Sequence, residues 1–104
     1  MPTTDELRER ITKACEAAKA AGWLIMPGGF RLGEHDKACC ALGAVSIDVN
    51  DAGYVRVIRE RLGVSDGWLA SFGFGFDGDK NHRSNDPDAY ALGQEFRQRY
   101  LKAD

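Results

Sequence analysis

Apolar residues recur at helical spacing along most of this chain. Over residues 3–21, Leu7, Ile11, Ala14, Cys15 and Ala18 fall on one face, the three-and-four spacing of an amphipathic helix. Thr3 and Glu6 stand at capping-box spacing ahead of that face, and Gly22 suits its C-terminal stop. A second periodic stretch opens at Asn50 or Asp51 and ends at Gly63. In it Tyr54, Val55, Ile58 and Leu62 point one way, and Arg56, Arg59, Glu60 and Arg61 the other. Ser65 caps a further helix whose Trp68, Leu69, Phe72 and Phe76 share a face. FGFGF within it alternates like a strand, but the longer window favours the helical period, which leaves Phe74 on the opposite side. Asp86 followed by Pro87 starts the last helix, with Ala89, Leu92, Gly93, Phe96 and Tyr100 as its stripe.

The segments between these helices are less regular. Trp23 to Met26 and Phe30 to Leu32 are short apolar runs around Pro27-Gly28-Gly29, which predicts a β-hairpin near residues 23–32. EHDKACCALGAVSI predicts a helix over residues 37–46, capped by Asp36 and lined by Ala38, Cys39, Cys40, Ala41, Gly43 and Ala44. Small residues on every side suit a helix crossed closely by its neighbours at the centre of the molecule. The expected fold is therefore mainly α (α+β), with about five helices and one small hairpin in a single domain over residues 1–104.

Composition narrows the function classes. At 104 residues, 43% hydrophobic and 29% charged, the chain can bury a core of its own. The net charge of −2 gives no overall basic footprint for nucleic acid or an anionic membrane. The Arg-rich RVIRERLG face reads as a solvated helix surface. No apolar run reaches the length of a membrane span, and MPTTDELRER reads as a helix start rather than a signal peptide. Three cysteines, two of them adjacent, do not make a disulfide framework, so reduced thiols in a cytoplasm are expected.

Two stretches carry candidate chemistry. In FGFGFDGDKNHRSNDPD, residues 72–88, Asp77, Asp79, Asn81, Asn85 and Asp88 occupy positions 1, 3, 5, 9 and 12 of a twelve-residue loop. A helix–loop–helix calcium hand places its oxygen ligands there. His82 stands where that hand needs Gly, Asp88 is shorter than the usual bidentate Glu, and Ser84 replaces an apolar pairing residue. Lys80 and Arg83 dilute the charge further, so Ca2+ affinity would sit near 10⁻⁴ M, roughly the weak end of such loops. The competing reading is a polar turn, in which Asp77 and Gly78 end one helix and Asp86 caps the next.

The second stretch is EHDKACC. Cys39 or Cys40 in the first turn of the predicted helix would have a lowered thiol pKa, and His35, or His82 from elsewhere, could serve as base. That is the chemistry of a thiol-dependent enzyme. The alternative is that Cys39, Cys40 and Cys15 are small core residues. Adjacent cysteines cannot readily share one tetrahedral zinc with His35 and His82, and no C-x-x-C is present. No organic cofactor is expected.

For partner binding, the aromatic candidates are Phe74 and Trp68, with Trp23 and Phe30 beside them; aromatics and Arg are the usual anchors of interfaces, and the favoured alternative is that Phe74 folds back onto the hairpin. ACCALGA, GFDG and DPDAYALGQEFR together resemble small uncharacterised bacterial proteins that pair a Cys-containing Ala-Leu-Gly helix with a GFD turn and a C-terminal AYxLGxxFR helix. That resemblance implies a bacterial or phage origin and a compact domain, with no activity attached. Gly43 and Gly93 would permit close helix packing, and Tyr90 and Phe96 would fill the core. The function expected from all this is a small, non-enzymatic binding or regulatory protein whose partner is another protein. The alternatives are a cation-binding module and a thiol enzyme.

Overall fold

The strongest helix signal in the sequence is the first element of the computed structural model, which describes residues 2–27, 30–32, 37–49, 53–79 and 86–101. Helix α1 (Thr4–Ala20) opens on a complete capping box. Thr3 Oγ1 accepts from Glu6 N at 3.1 Å, and Glu6 Oε1 accepts from Thr3 N at 3.2 Å. These two bonds satisfy donors that every helix start leaves unpaired. Leu7, Ile11, Cys15 and Ala18 are buried along its stripe. Gly22, at φ +90°, then turns the chain out of the helix.

Three two-residue strands follow: β1 (Leu24–Ile25), β2 (Arg31–Leu32) and β3 (Ala38–Cys39). Their order in the sheet is β1-β3-β2, with β3 parallel to β1 and antiparallel to β2. This corrects two sequence expectations. The apolar runs at 23–32 do form strands, but they do not pair with each other as a hairpin, because β3 lies between them. The helix expected over 37–46 is instead a central strand followed by a 3₁₀ turn (Gly43–Ser46). Cys39 O accepts from Met26 N at 2.9 Å, and Lys37 O accepts from Leu24 N at 2.8 Å. Lys37 enters the strand at φ 44°, a left-handed conformation that starts no helix. Pairing on both sides overrides the local preference of Ala38 and Cys39, whose side chains are small enough to be buried in the middle of the sheet.

Gly43 does serve close packing, but of a different kind from the one expected. A Cβ there would run into the Phe30 backbone, so its absence lets the 3₁₀ turn sit against the chain entering β2.

Helix α2 (Tyr54–Leu62) buries Ile58 and Leu62 and ends at Gly63 in the left-handed region. Its outward arginines are matched by carboxylates: Arg56 with Glu60, Arg59 with Asp66, and Arg61 with Asp48. Helix α3 (Asp66–Asp77) is capped by Ser65, whose Oγ accepts from Trp68 N at 3.1 Å. It ends in a Schellman pattern, with Asp79 N donating to Phe74 O at 3.0 Å around Gly78 at φ 78°. Helix α4 (Pro87–Leu101) starts where Asp86 Oδ1 accepts from Ala89 N at 3.1 Å. Among the described residues there are thus four α-helices and one 3₁₀ turn, against about five helices expected.

Helices α3 and α4 approach each other backbone to backbone. A Cβ on Gly93 would lie 2.9 Å from Phe76 N, and one on Gly75 would lie 3.1 Å from Gln94 N. The closeness brings Phe72 to 5.8 Å from Phe96, ring to ring, in the apolar core. Helices α1 and α4 run side by side in the same direction. Arg8 Nε donates to Glu95 at 2.8 Å, Arg99 to Thr12 Oγ1 at 2.9 Å, and Tyr100 OH to Glu16 at 2.7 Å. No helix among the described residues is long and apolar enough to cross a membrane.

Candidate binding cleft

Helix α3 has two working faces. Trp68, Leu69, Phe72 and Phe76 supply the buried one, as their spacing predicts. The other carries Ala70, Gly73, Phe74 and Asp77, which repeat at three- and four-residue intervals and so line up along the helix. Opposite this face stand Phe30, just ahead of β2, and Cys40, just after β3. Between them lies an open cleft of about 200 Å³, floored by Leu69 and Phe76. Phe74 is half-buried there, facing the sheet region across the cleft.

Two residues of this lining break the local rules of their helix. Gly73 is in the interior of α3, where Gly is less favourable than Ala by roughly 1 kcal/mol. Gly75 and Gly93 repay that cost by letting two backbones meet, but a Cβ on Gly73 would touch nothing within 4 Å. Asp77 is the last residue of α3, where the partial negative charge of the helix end makes a carboxylate unfavourable by about 0.3–1 kcal/mol. Both residues line the cleft.

The lining fixes what the cleft can hold. It is predominantly apolar, with Asp77 the one charged residue among those that line it. Ligand pockets for organic cofactors run from roughly 300 Å³ upwards, whereas about 150 Å³ of apolar space accommodates a benzene-sized guest. The cleft therefore matches one large apolar side chain.

Cys40 contributes to its wall, and its burial works against the thiolate form. Its Sγ accepts a long bond from Gly43 N at 3.4 Å, and burial pushes the thiol pKa up to about 12. Cys39 is fully buried in β3, away from any helix start. Burial also raises the Cys15 thiol, whose Sγ donates to Ala41 O at 3.7 Å. No α-helix starts at Cys39 or Cys40; backbone N–H groups at the start of the 3₁₀ turn do act to lower the Cys40 pKa, but burial outweighs them. His35, the proposed base, lies outside the described residues, as does His82.

The candidate calcium ligands are distributed differently from a hand. Asp77 closes α3, the Asp79 carbonyl accepts from Tyr90 OH at 2.6 Å, and Asp88 is exposed in the first turn of α4. Asn81 and Asn85 lie outside the described residues. Among the described residues no three His, Cys, Asp or Glu side chains gather to hold a metal ion.

Of the aromatic candidates, Trp68 belongs to the core: it is 3% exposed and stacks on Phe72 at 5.5 Å. Trp23 lines a separate hollow of about 180 Å³ with Lys19, Leu24, Ile25, Arg99 and Tyr100. Its two cations stand in the last turns of α1 and α4, where they complement the helix ends, and Arg99 is paired with Glu95. Phe74 and Phe30 are the pair that meets at one site. The sequence marked Phe74 by its position off the core face. It gave no sign that Gly73 differs from Gly75, and Asp77 drew attention as a ligand rather than as the edge of an apolar cleft.

No family model, curated protein or solved structure matches this chain.

Proposed function

We propose that this is a small, non-enzymatic binding or regulatory protein that seats a large apolar side chain of a protein partner in the α3 cleft. The observation that carries this reading is the cleft itself. It is an open apolar hollow of about 200 Å³ between Phe74 and Phe30, on a helix whose other face is committed to the core. Side-chain anchors in such hollows supply much of the energy of protein–protein interfaces. A reducing, cytoplasmic setting goes with the reading, since Cys15, Cys39 and Cys40 are not joined in disulfides.

The test is a titration of ¹⁵N-labelled protein with neutral 2-phenylethanol, a stand-in for one aromatic side chain. A ligand of this size binds at about 1 mM at best-typical efficiencies, which NMR detects. Saturable shifts confined to the amides of Leu69, Ala70, Gly73 and Phe74 are expected. Shifts scattered over the surface without saturation would sink the reading.

A further inference from the structure

We infer that the outer edge of β1 takes an extended acidic segment of a protein partner as an added strand, with a carboxylate of that segment against Lys19. This surface is separate from the α3 cleft and does not rest on the reading above. β1 has β3 as its one neighbour in the sheet. Leu24 N and Met26 N both donate towards β3, to Lys37 O and Cys39 O at 2.8 and 2.9 Å. Backbone groups alternate between the two edges of a strand, so the N–H and C=O of Ile25 point to the other edge. Such an edge is a template for a further strand. Leu24 is 60% exposed, the one large hydrophobic residue left in solvent among the described residues. The edge also borders the hollow of about 180 Å³, whose lining holds two cations, Lys19 and Arg99, and no carboxylate. Arg99 is engaged by Glu95 and Thr12. Lys19 lies over the Tyr100 ring at 5.4 Å and forms no ion pair among the described residues. The carbonyls of Ala17, Ala18 and Lys19, which a lysine could cap, already accept from the backbone of Ala21, Gly22 and Trp23. Its ammonium is thus available to an anion from outside. In strand addition, main-chain bonds supply affinity and the side chains beside the edge supply specificity. Charge also decides against a second copy of this chain, since a symmetric pairing through β1 would bring Lys19 and Arg99 up to their own equivalents.

The probe is acetyl-EEIIEE-amide, which as a strand presents one Ile between two Glu on each face, titrated into ¹⁵N-labelled protein. Saturable shifts are expected at the amides of Lys19, Leu24, Ile25 and Tyr100, with slower hydrogen exchange at Ile25. The basic peptide acetyl-KKIIKK-amide should bind more weakly. Lys19→Gln should weaken the acidic peptide about two- to fivefold, the range of an exposed charge pair, and salt at about 0.5 M should shrink the difference from wild type. Leu24→Ser should weaken it at an unchanged melting temperature, because a surface exchange alters stability little. Two forms of the acidic peptide, N-methylated at alternate residues in the two possible phases, read the strand directly. The phase whose N–H groups face β1 should lose binding and the other should keep it. Equal binding or equal loss in the two phases would overturn the added strand. A basic peptide as tight as the acidic one, or Lys19→Gln as tight as wild type, would overturn the acidic class. Saturable shifts at Leu69, Gly73 and Phe74 instead would overturn this site and leave the proposed function standing. Shifts at Leu24 and Ile25 on raising the protein concentration alone would put a second copy on the edge and overturn it too. The absence of any saturable shift would overturn the inference without touching the α3 cleft.

Discussion

Replacing Gly93 by Ala is the most informative single change in the fold. In an exposed helix the exchange is favourable by about 1 kcal/mol, because Ala is the better helix former. Here the added Cβ would stand 2.9 Å from Phe76 N and 3.0 Å from the Phe72 carbonyl carbon, and closer still to its oxygen. Ordinary contact begins at 3.4 Å. These obstacles are backbone atoms in the middle of α3, so no side chain can swing aside. The two helices would have to part by roughly an ångström, loosening the packing of Phe72 and Phe76 on Phe96. Overpacking of this kind costs about 1–3 kcal/mol, occasionally more, and the gap it opens adds to that. The propensity gain offsets part of the loss, leaving about 2 kcal/mol of net destabilisation, or roughly 10 °C in Tm for a domain of this size. Calorimetry or thermal circular dichroism of Gly93→Ala reads it directly. Gly73→Ala is the control: the same chemical change on the facing helix, with open space around the new methyl, should raise Tm by a few degrees. Two rises of similar size would refute the close α3–α4 contact.

Other outcomes follow from the caps and the thiols. Thr3→Ala removes the acceptor of the α1 capping box and should cost about 1 kcal/mol, measured as a shift in the urea midpoint without a change in slope. The Thr3 amide bond holds the Glu6 carboxyl below its usual range, so the box contributes above the ordinary glutamate pKa and fades as pH falls through the lowered one. A Glu6→Gln variant should flatten that acid limb. For Cys40 the sign is reversed. Its pKa rises from about 9 unfolded to about 12 folded, so its contribution is intact below about pH 9 and declines as pH climbs towards 12, by at most about 1.4 kcal/mol per pH unit. Urea midpoints at about pH 8 and about pH 10, compared between wild type and Cys40→Ala, should show a shallower fall in the variant. Iodoacetamide at neutral pH should label no cysteine until denaturant is added; rapid labelling of one thiol in the folded protein would contradict the burial of all three.

The helices were legible where the signals are local. Thr3 with Glu6, Ser65, and Asp86 before Pro87 mark starts by chemistry within one turn, and the stripes of α1, α3 and α4 are buried as their spacing predicts, except that Ala14 and Tyr100 are only half-buried. The sheet was not legible. Ala38 and Cys39 carry no period of their own, and they become a strand because Leu24 and Ile25 pair with them from fourteen residues upstream. The same insertion separates the two apolar runs that read as a hairpin. The thiol argument depended on an α-helix start at Cys39, and the strand pairing removes that premise. Phe74 stood out because it left the core face, whereas the cleft around it depends on Phe30 and Cys40, brought there by pairings that no short window contains.

The shared direction of α1 and α4 has a mechanical consequence. Their cross-links climb together, from Arg8–Glu95 through Thr12–Arg99 to Glu16–Tyr100. With parallel neighbours, the start of α1 and the finish of α4 lie at opposite ends of the pair. Tension applied at those two points slides one helix along the other and loads all three contacts at once, instead of peeling them one after another. A force probe attached through the start of α1 and the finish of α4 would meet the molecule in its stiffer direction, and one attached through the start of both helices would unzip it.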